Sequence, residues 1–148
     1  MSDLARILVT TDFSAQSMPG LAHAALLARK LGSEVSLLYV VEDRLPPVLG
    51  AISADERQQV LDKYREQAAA KLEEYVSEHL AALDVKTHAV IGVASQEIVR
   101  YADEHQVDLI VMASRGYGPL RQLLLGSTAE RVLHHASCPV LMVPSKGS

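Results

Sequence analysis

The chain has 148 residues, 49% of them hydrophobic, with 14 basic and 18 acidic side chains for a net charge of −4. That length suits one domain spanning residues 1–148, since domains run to about 100–150 residues, and the acidic balance argues against nucleic-acid or membrane surfaces, both polyanions. The lone Cys138 leaves no internal disulfide and no cysteine-based zinc site, and no apolar run approaches the roughly 20 residues of a membrane helix, so a cytoplasmic location without membrane insertion is expected.

Ile7-Leu8-Val9 is a short apolar run ending at polar Thr10-Thr11-Asp12, as in a strand buried on both faces. Leu21, Ala24, Ala25, Leu27, Ala28 and Leu31 recur at helical steps, and Gly32 follows where a C-cap glycine belongs. Val35 to Val41 reads as the next strand. The prolines at 46 and 47 exclude regular structure, so Glu42 to Ile52 is read as a long surface connection. Ser53-Ala54-Asp55-Glu56 is a capping-box pattern that opens a long helix carrying Leu61, Tyr64, Ala68, Leu72, Tyr75, His79 and Leu83 at steps of three and four. Tyr64 and Tyr75 are read as core residues on this spacing.

Val85 to Ile91 is a further strand, and Ile98, Val99 and Ala102 mark a helix. Leu109 to Ala113 is the clearest buried strand, and polar, glycine-rich Ser114 to Gly118 follows it. Ala129, Val132, Leu133 and Ala136 mark a short helix before the last strand, Val140 to Val143. Strands separated by helices run parallel. The expectation is therefore α/β: an open doubly wound five-stranded parallel sheet with helices on both faces.

In such sheets ligands bind beyond the carboxyl ends of the strands, where strand order reverses. Two strand ends are equipped for it: Thr10 to Ser14, and Ala113 to Gly118. After Gly116 come nine residues and then Gly126-Ser127-Thr128 at the start of a helix, with Ser127 and Glu130 spaced as a capping box. Glycines plus hydroxyls at a helix N-terminus form an anion site in kind, which Arg115 and Arg121 would complement. The same residues also suit a plain helix start. Neither GxxxxGK[ST] nor GxSxG is present. Asp12 by itself suits a turn or cap as well as a ligand. His134-His135 lie about 100° apart on a helix and do not converge on one metal ion, and Cys138 reads as packing.

Taken together, Ser114-Arg115-Gly116, Leu123 to Glu130 and His135 to Pro144 resemble the C-terminal signature of universal stress proteins, and Arg6 to Ser14 resembles their N-terminal one. ATP-binding members carry Gly-x-x-Gly, nine residues, then Gly-(Ser/Thr); here Ala113 replaces the first glycine. The resemblance implies a Rossmann-like domain similar to adenine nucleotide α-hydrolases, binding ATP with Mg2+ or Mn2+. By position, Asp12 would lie at the ribose and the metal. Thr10, Thr11 and Met112 would line the nucleoside pocket, and the Val40 backbone would meet adenine. Ala113 would border the phosphates, with Ser114, Arg115, Gly116, Gly126, Ser127 and Thr128 around them.

The resemblance also implies a homodimer through the edge strand Val140 to Val143, a regulatory protein partner and a stress-response role, with ATP hydrolysis at most slow. The alternatives are a nucleotide-free dimeric interaction module, supported by Ala113, and a member that binds cyclic AMP.

Overall fold

Each apolar run becomes a strand, and each amphipathic stretch becomes the helix that covers it. The computed structural model describes residues 4–44, 53–114 and 125–144. Strands β1 (Arg6–Thr10), β2 (Glu34–Val41), β3 (Val85–Ile91), β4 (Leu109–Ala113) and β5 (Val140–Val143) alternate with helices α1 (Met18–Leu31), α2 (Ala54–His79), α3 (Ala94–Glu104) and α4 (Ser127–His135). All strand pairs are parallel, in the order β3-β2-β1-β4-β5. Ile7 sits opposite Val35 on one side and Leu109 on the other.

The two-residue side-chain period of a strand divides the core between two faces. Ile7, Val9, Leu37 and Val111 pack with Leu21 and Ala28 of α1 and Leu72 of α2. Leu8, Leu38 and Ile110 pack on the other face with Ile98 of α3 and Val132 of α4. Leu8, Val9 and Ile110 are fully buried, so the central strands show continuous apolar runs rather than alternation.

Local signals fix the helix ends. Gly32 adopts φ 69°, a left-handed conformation that favours glycine, and the amides of Gly32 and Ser33 donate to Ala28 O at 2.8 and 3.2 Å. The Ser53 capping box forms as read: Glu56 N donates to Ser53 Oγ at 3.1 Å, and Ser53 N donates to Glu56 Oε1 at 3.2 Å. Two boundaries differ from the sequence reading. A 3₁₀ turn (Ala15–Ser17) leads into α1 at Met18, with Pro19 inside the first turn where it loses no helical bond. Helix α2 ends at His79, so Leu83 continues the hydrophobic spacing from a turn rather than from the helix. Leu45 to Ile52 of the prolyl connection lies outside the described residues.

Cys138 is half-buried against the α3/α4 core, as its packing role requires. Burial, and then the charges of Asp103 and Asp108, push its thiol pKa up and keep it from reacting as a thiolate. His134 and His135 are exposed in the last turn of α4.

A polar cluster joins edge strand β3 to α3. The Tyr101 hydroxyl donates to Ser36 Oγ at 3.0 Å and lies 2.8 Å from His88 Nε2, while its ring stacks on His105 at 3.9 Å. Burial, followed by the charges of His105 and Lys86, lowers the His88 pKa. Folding therefore favours the neutral imidazole. Below about pH 6.5, the ordinary histidine value, the unfolded chain takes up a proton that the folded chain resists, so stability falls with acidification. Melting temperatures measured from pH 8 to pH 5 are expected to fall less steeply for His88→Gln than for the wild type. Parallel profiles would refute this.

Candidate functional site

Helices α1 and α2 cover one face of the sheet, and α3 and α4 cover the other. Because β1 and β4 are neighbours, the chain leaves their carboxyl ends toward opposite faces, and a crevice opens between them. A cavity of about 760 Å³ lies there, inside the range of roughly 300–1,000 Å³ typical of ligand clefts. Thr10 lines it from β1, Thr11 and Asp12 from the loop after β1, Val40 from β2, Met112 and Ala113 from β4, and Gly126, Ser127 and Thr128 from the start of α4. Arg115, Gly116 and Arg121 lie outside the described residues.

The loop after β1 is held by its own side chains. Thr11 is buried, and its Oγ1 accepts from Phe13 N at 2.9 Å. Ser17 Oγ donates to Ser14 O at 2.8 Å, which leaves Thr11 to donate to Ser17 Oγ at 3.0 Å. Thr11 thus lines the cavity while its hydroxyl serves the loop. Asp12 Oδ1 accepts from both Ser14 N, at 2.9 Å, and Ser14 Oγ. This is an Asx turn, so the turn reading of Asp12 holds for one oxygen. Oδ2 has no protein partner among the described residues.

Phe13 pays for this turn with φ 65°, a left-handed conformation that bulky residues rarely adopt. Its ring is fixed 4.6 Å from that of Tyr39 and 5.8 Å from that of Tyr75.

At the end of β2 the register leaves backbone groups open. Leu38 O accepts Thr11 N at 3.1 Å on the β1 side, and Val41 O accepts Gly92 N at 3.0 Å on the β3 side. Strand alternation then turns the N–H and C=O of Val40 toward β1. The last strand pair there is Thr10 with Leu38, and the chain then departs into the Asp12 loop. Val40 therefore presents an adjacent donor and acceptor to the cavity.

On the far side, Ser114 N donates to Val143 O at 3.1 Å, and Ser114 O accepts from Gly126 N at 2.8 Å. These bonds tie Ser114 to β5 and to the start of α4, and they occupy the Ser114 backbone. The expected Ser127–Glu130 capping box does not form. Gly126, with extended φ −62° and ψ 150°, takes the N-cap position, and no side chain caps the helix. Ser127 therefore falls inside the first helical turn, where its hydroxyl no longer occupies the capping geometry. The first amides of α4 have no intrahelical acceptor and lie at the positive end of the helix dipole.

The N-terminus of α3 also borders the cavity, but Ala94 N already donates to Glu42 Oε2 at 3.2 Å, and Arg44 donates to Glu42 Oε1 at 2.6 Å. An incoming anion thus meets an open helix end at α4 and an occupied one at α3.

Ala113, at the end of β4, is absent from the residues with positive φ, so its methyl group adds no backbone strain. Tyr64 departs from the sequence reading: it is 45% exposed and lines the cavity. Tyr75 is half-buried and packs against the core. Sequence reasoning also missed Glu42, Phe13, Gln67 and Lys71. The spacing 64, 67, 71 along α2 was the available signal for three of the wall residues, since such steps share one helix face.

An open sheet ordered 3-2-1-4-5, with a crevice of this kind at its switch point, defines a Rossmann-like α/β protein. The chain belongs to the universal stress protein family: the family's model matches residues 4–144. It is 34% identical to universal stress protein MJ0531 of Methanocaldococcus jannaschii, over 93% of this chain and 81% of that protein. It is 33% identical to MJ0577 of the same organism, over 97% and 96%. The solved structure of MJ0577 superposes with a TM-score of 0.84 at 32% identity, covering 99% of this chain and all of the other. A more distant universal stress protein, solved in complex with cAMP, shares the fold at 20% identity and a TM-score of 0.63, covering 98% and 100%. Among the described residues no helix is long and apolar enough to cross a membrane.

The Thr11 network makes the Asp12 loop sensitive to one hydroxyl. Thr11→Val keeps the shape and removes the acceptor of Phe13 N and the donor to Ser17. A loss of about 1–3 kcal/mol is expected in urea unfolding, and an unchanged midpoint would show that the network contributes nothing.

Proposed function

We propose that this chain is a cytosolic, ATP-binding regulator of a stress response, folded as one domain, which binds the nucleotide with a divalent cation and works as a homodimer. The observation that carries the reading is the order of groups across the sheet. Val40 on β2 offers an N–H and a C=O side by side, which suits the acceptor and donor of adenine's Watson–Crick edge. Asp12, next along in the loop after β1, keeps Oδ2 open for a ribose hydroxyl or a cation. The uncapped N-terminus of α4, after β4, suits phosphate oxygens, with Ser127 and Thr128 beside it. Thr10 and Met112 form the nucleoside wall between them, and Ala113, Ser114 and Gly126 border the phosphates; Arg115 and Gly116, outside the described residues, are assigned there by the motif alone.

The residues fit Mg2+ or Mn2+ in one particular way. Among the described residues no group of three His, Cys, Asp or Glu side chains gathers around one point. Magnesium is commonly held by one or two carboxylates together with substrate phosphates, and Asp12 Oδ2 would supply the protein's share. The cation would offset phosphate charge. Hydrolysis, if any, is slow on this reading.

The nucleotide-free alternative drew its support from Ala113, and the unstrained backbone there weakens it. Edge strand β5 supports the dimer. Among the described residues its outer side has no strand neighbour, and its Val140, Leu141 and Met142 are only half-buried, so a second copy would cover an edge otherwise open to aggregation. Ligand occupancy would then alter the surface offered to a regulatory protein.

Isothermal titration with ATP and Mg2+ tests the reading. The wild type is expected to bind. Asp12→Asn keeps an acceptor for Ser14 but replaces the open oxygen with a donor, and is expected to weaken binding about tenfold or more without lowering the melting temperature. Ala113→Gly is expected to shift affinity less than about threefold. Absence of binding at millimolar ATP would overturn the proposal.

A further inference from the structure

Helix α2 is longer than the sheet it covers. Its 26 residues extend about 39 Å at 1.5 Å per residue, against about 26 Å for the eight residues of β2 at 3.3 Å each. As the crossover between parallel strands, α2 runs antiparallel to them, so its N-terminal half rises above their carboxyl ends. Two contacts hold it there. Arg57 forms a two-pronged pair with Asp43 at 2.8 and 2.7 Å, and Leu61 and Ala68 pack on Val41. Tyr64 on that overhang, with Gln67 and Lys71 one and two turns further along the same helix face, walls the cavity.

Two cations line that cavity among the described residues, Arg44 and Lys71. Arg44 is paired with Glu42. Lys71 has no ion pair among the described residues, and its Nζ stands 4.5 Å from the centroid of the Phe13 ring. Phe13 directly follows Asp12, so the ammonium is held over the β1 loop, midway across the sheet between the Val40 end and the α4 end. A cation–π contact of this kind positions a charge without neutralising it.

Building on the nucleotide reading, we infer that Lys71 binds the phosphate nearest the sugar, the one common to ATP, AMP and cyclic AMP. The open end of α4 serves the phosphates beyond it. Lys71 then separates nucleotides from nucleosides: adenosine has nothing to give it, and AMP does. The motif residues at the strand ends do not include it, because it arrives from α2, which only tertiary packing brings to the site.

The test is calorimetric titration of the full chain with adenosine and with AMP, for the wild type, Lys71→Met and Lys71→Arg. Lys71 is exposed, and circular dichroism of each variant checks that the fold is retained. Lys71→Met is expected to weaken AMP about tenfold, the scale of one hydrogen bond to a charged group, and adenosine less than about twofold, while Lys71→Arg keeps most of the AMP affinity. Equal AMP affinity in wild type and Lys71→Met, or an equal loss on adenosine, overturns the assignment of Lys71 alone. A wild type that binds ATP with Mg2+ but neither AMP nor adenosine overturns this inference and leaves the nucleotide reading standing; one that binds none of the three overturns both.

Discussion

The parallel placement of β1 beside β4 is the constraint on which the rest depends. Parallel strands need crossovers, and right-handed crossovers send the chain from β1 and from β4 to opposite faces. The carboxyl ends of these two strands then have no helix between them, and a cavity follows from topology alone. The same placement sets a linear order of chemistry across the sheet. Backbone groups of Val40 come first, the Asp12 carboxylate second, and the N-terminus of α4 third. A nucleotide has its base, sugar and phosphates in the same order.

Each of these groups is kept open by a neighbour that takes up a competing bond. Ser14 occupies one oxygen of Asp12 and leaves the other. Glu42 places a carboxylate against the first amide of α3, whereas no side chain caps α4. The departure of β1 after Thr11 exposes Val40, and the same departure requires the left-handed Phe13, whose strain is offset by packing against Tyr39 and Tyr75. Phe13 in turn carries Lys71 over the loop. Loop strain, aromatic packing and charge placement are thus one arrangement seen from three sides.

The fold was largely legible in the sequence because strands buried on both faces are continuous apolar runs, and those between 7 and 9 and between 109 and 113 are unbroken. Strand order is not written in any single segment, since every order of five parallel strands satisfies the same hydrophobic pattern. The orientation of Val40 needed that order and its register. Tyr64 illustrates a second limit: helical spacing groups it with Leu61 and Ala68, yet spacing cannot tell a core face from a cavity face on a helix that overhangs its sheet. Ser127 illustrates a third, because a Ser-x-x-Glu pattern defines a capping box only if its serine is the cap, and Gly126 takes that place. The strand-end motifs pointed to the end of the sheet where the cavity lies, whereas Glu42 and Lys71 reach it through tertiary packing alone.

The central claim is that adenine, sugar and phosphate lie across β2, β1 and α4 in that order. The most direct measurement is a 15N–1H correlation spectrum of the full chain titrated with ATP and Mg2+. The account predicts saturable shifts at the amides of Val40, Asp12 and Ser127 to Ala129, with the Cys138 and His88 regions little changed. Shifts confined to other surfaces, or none at millimolar nucleotide, would contradict it.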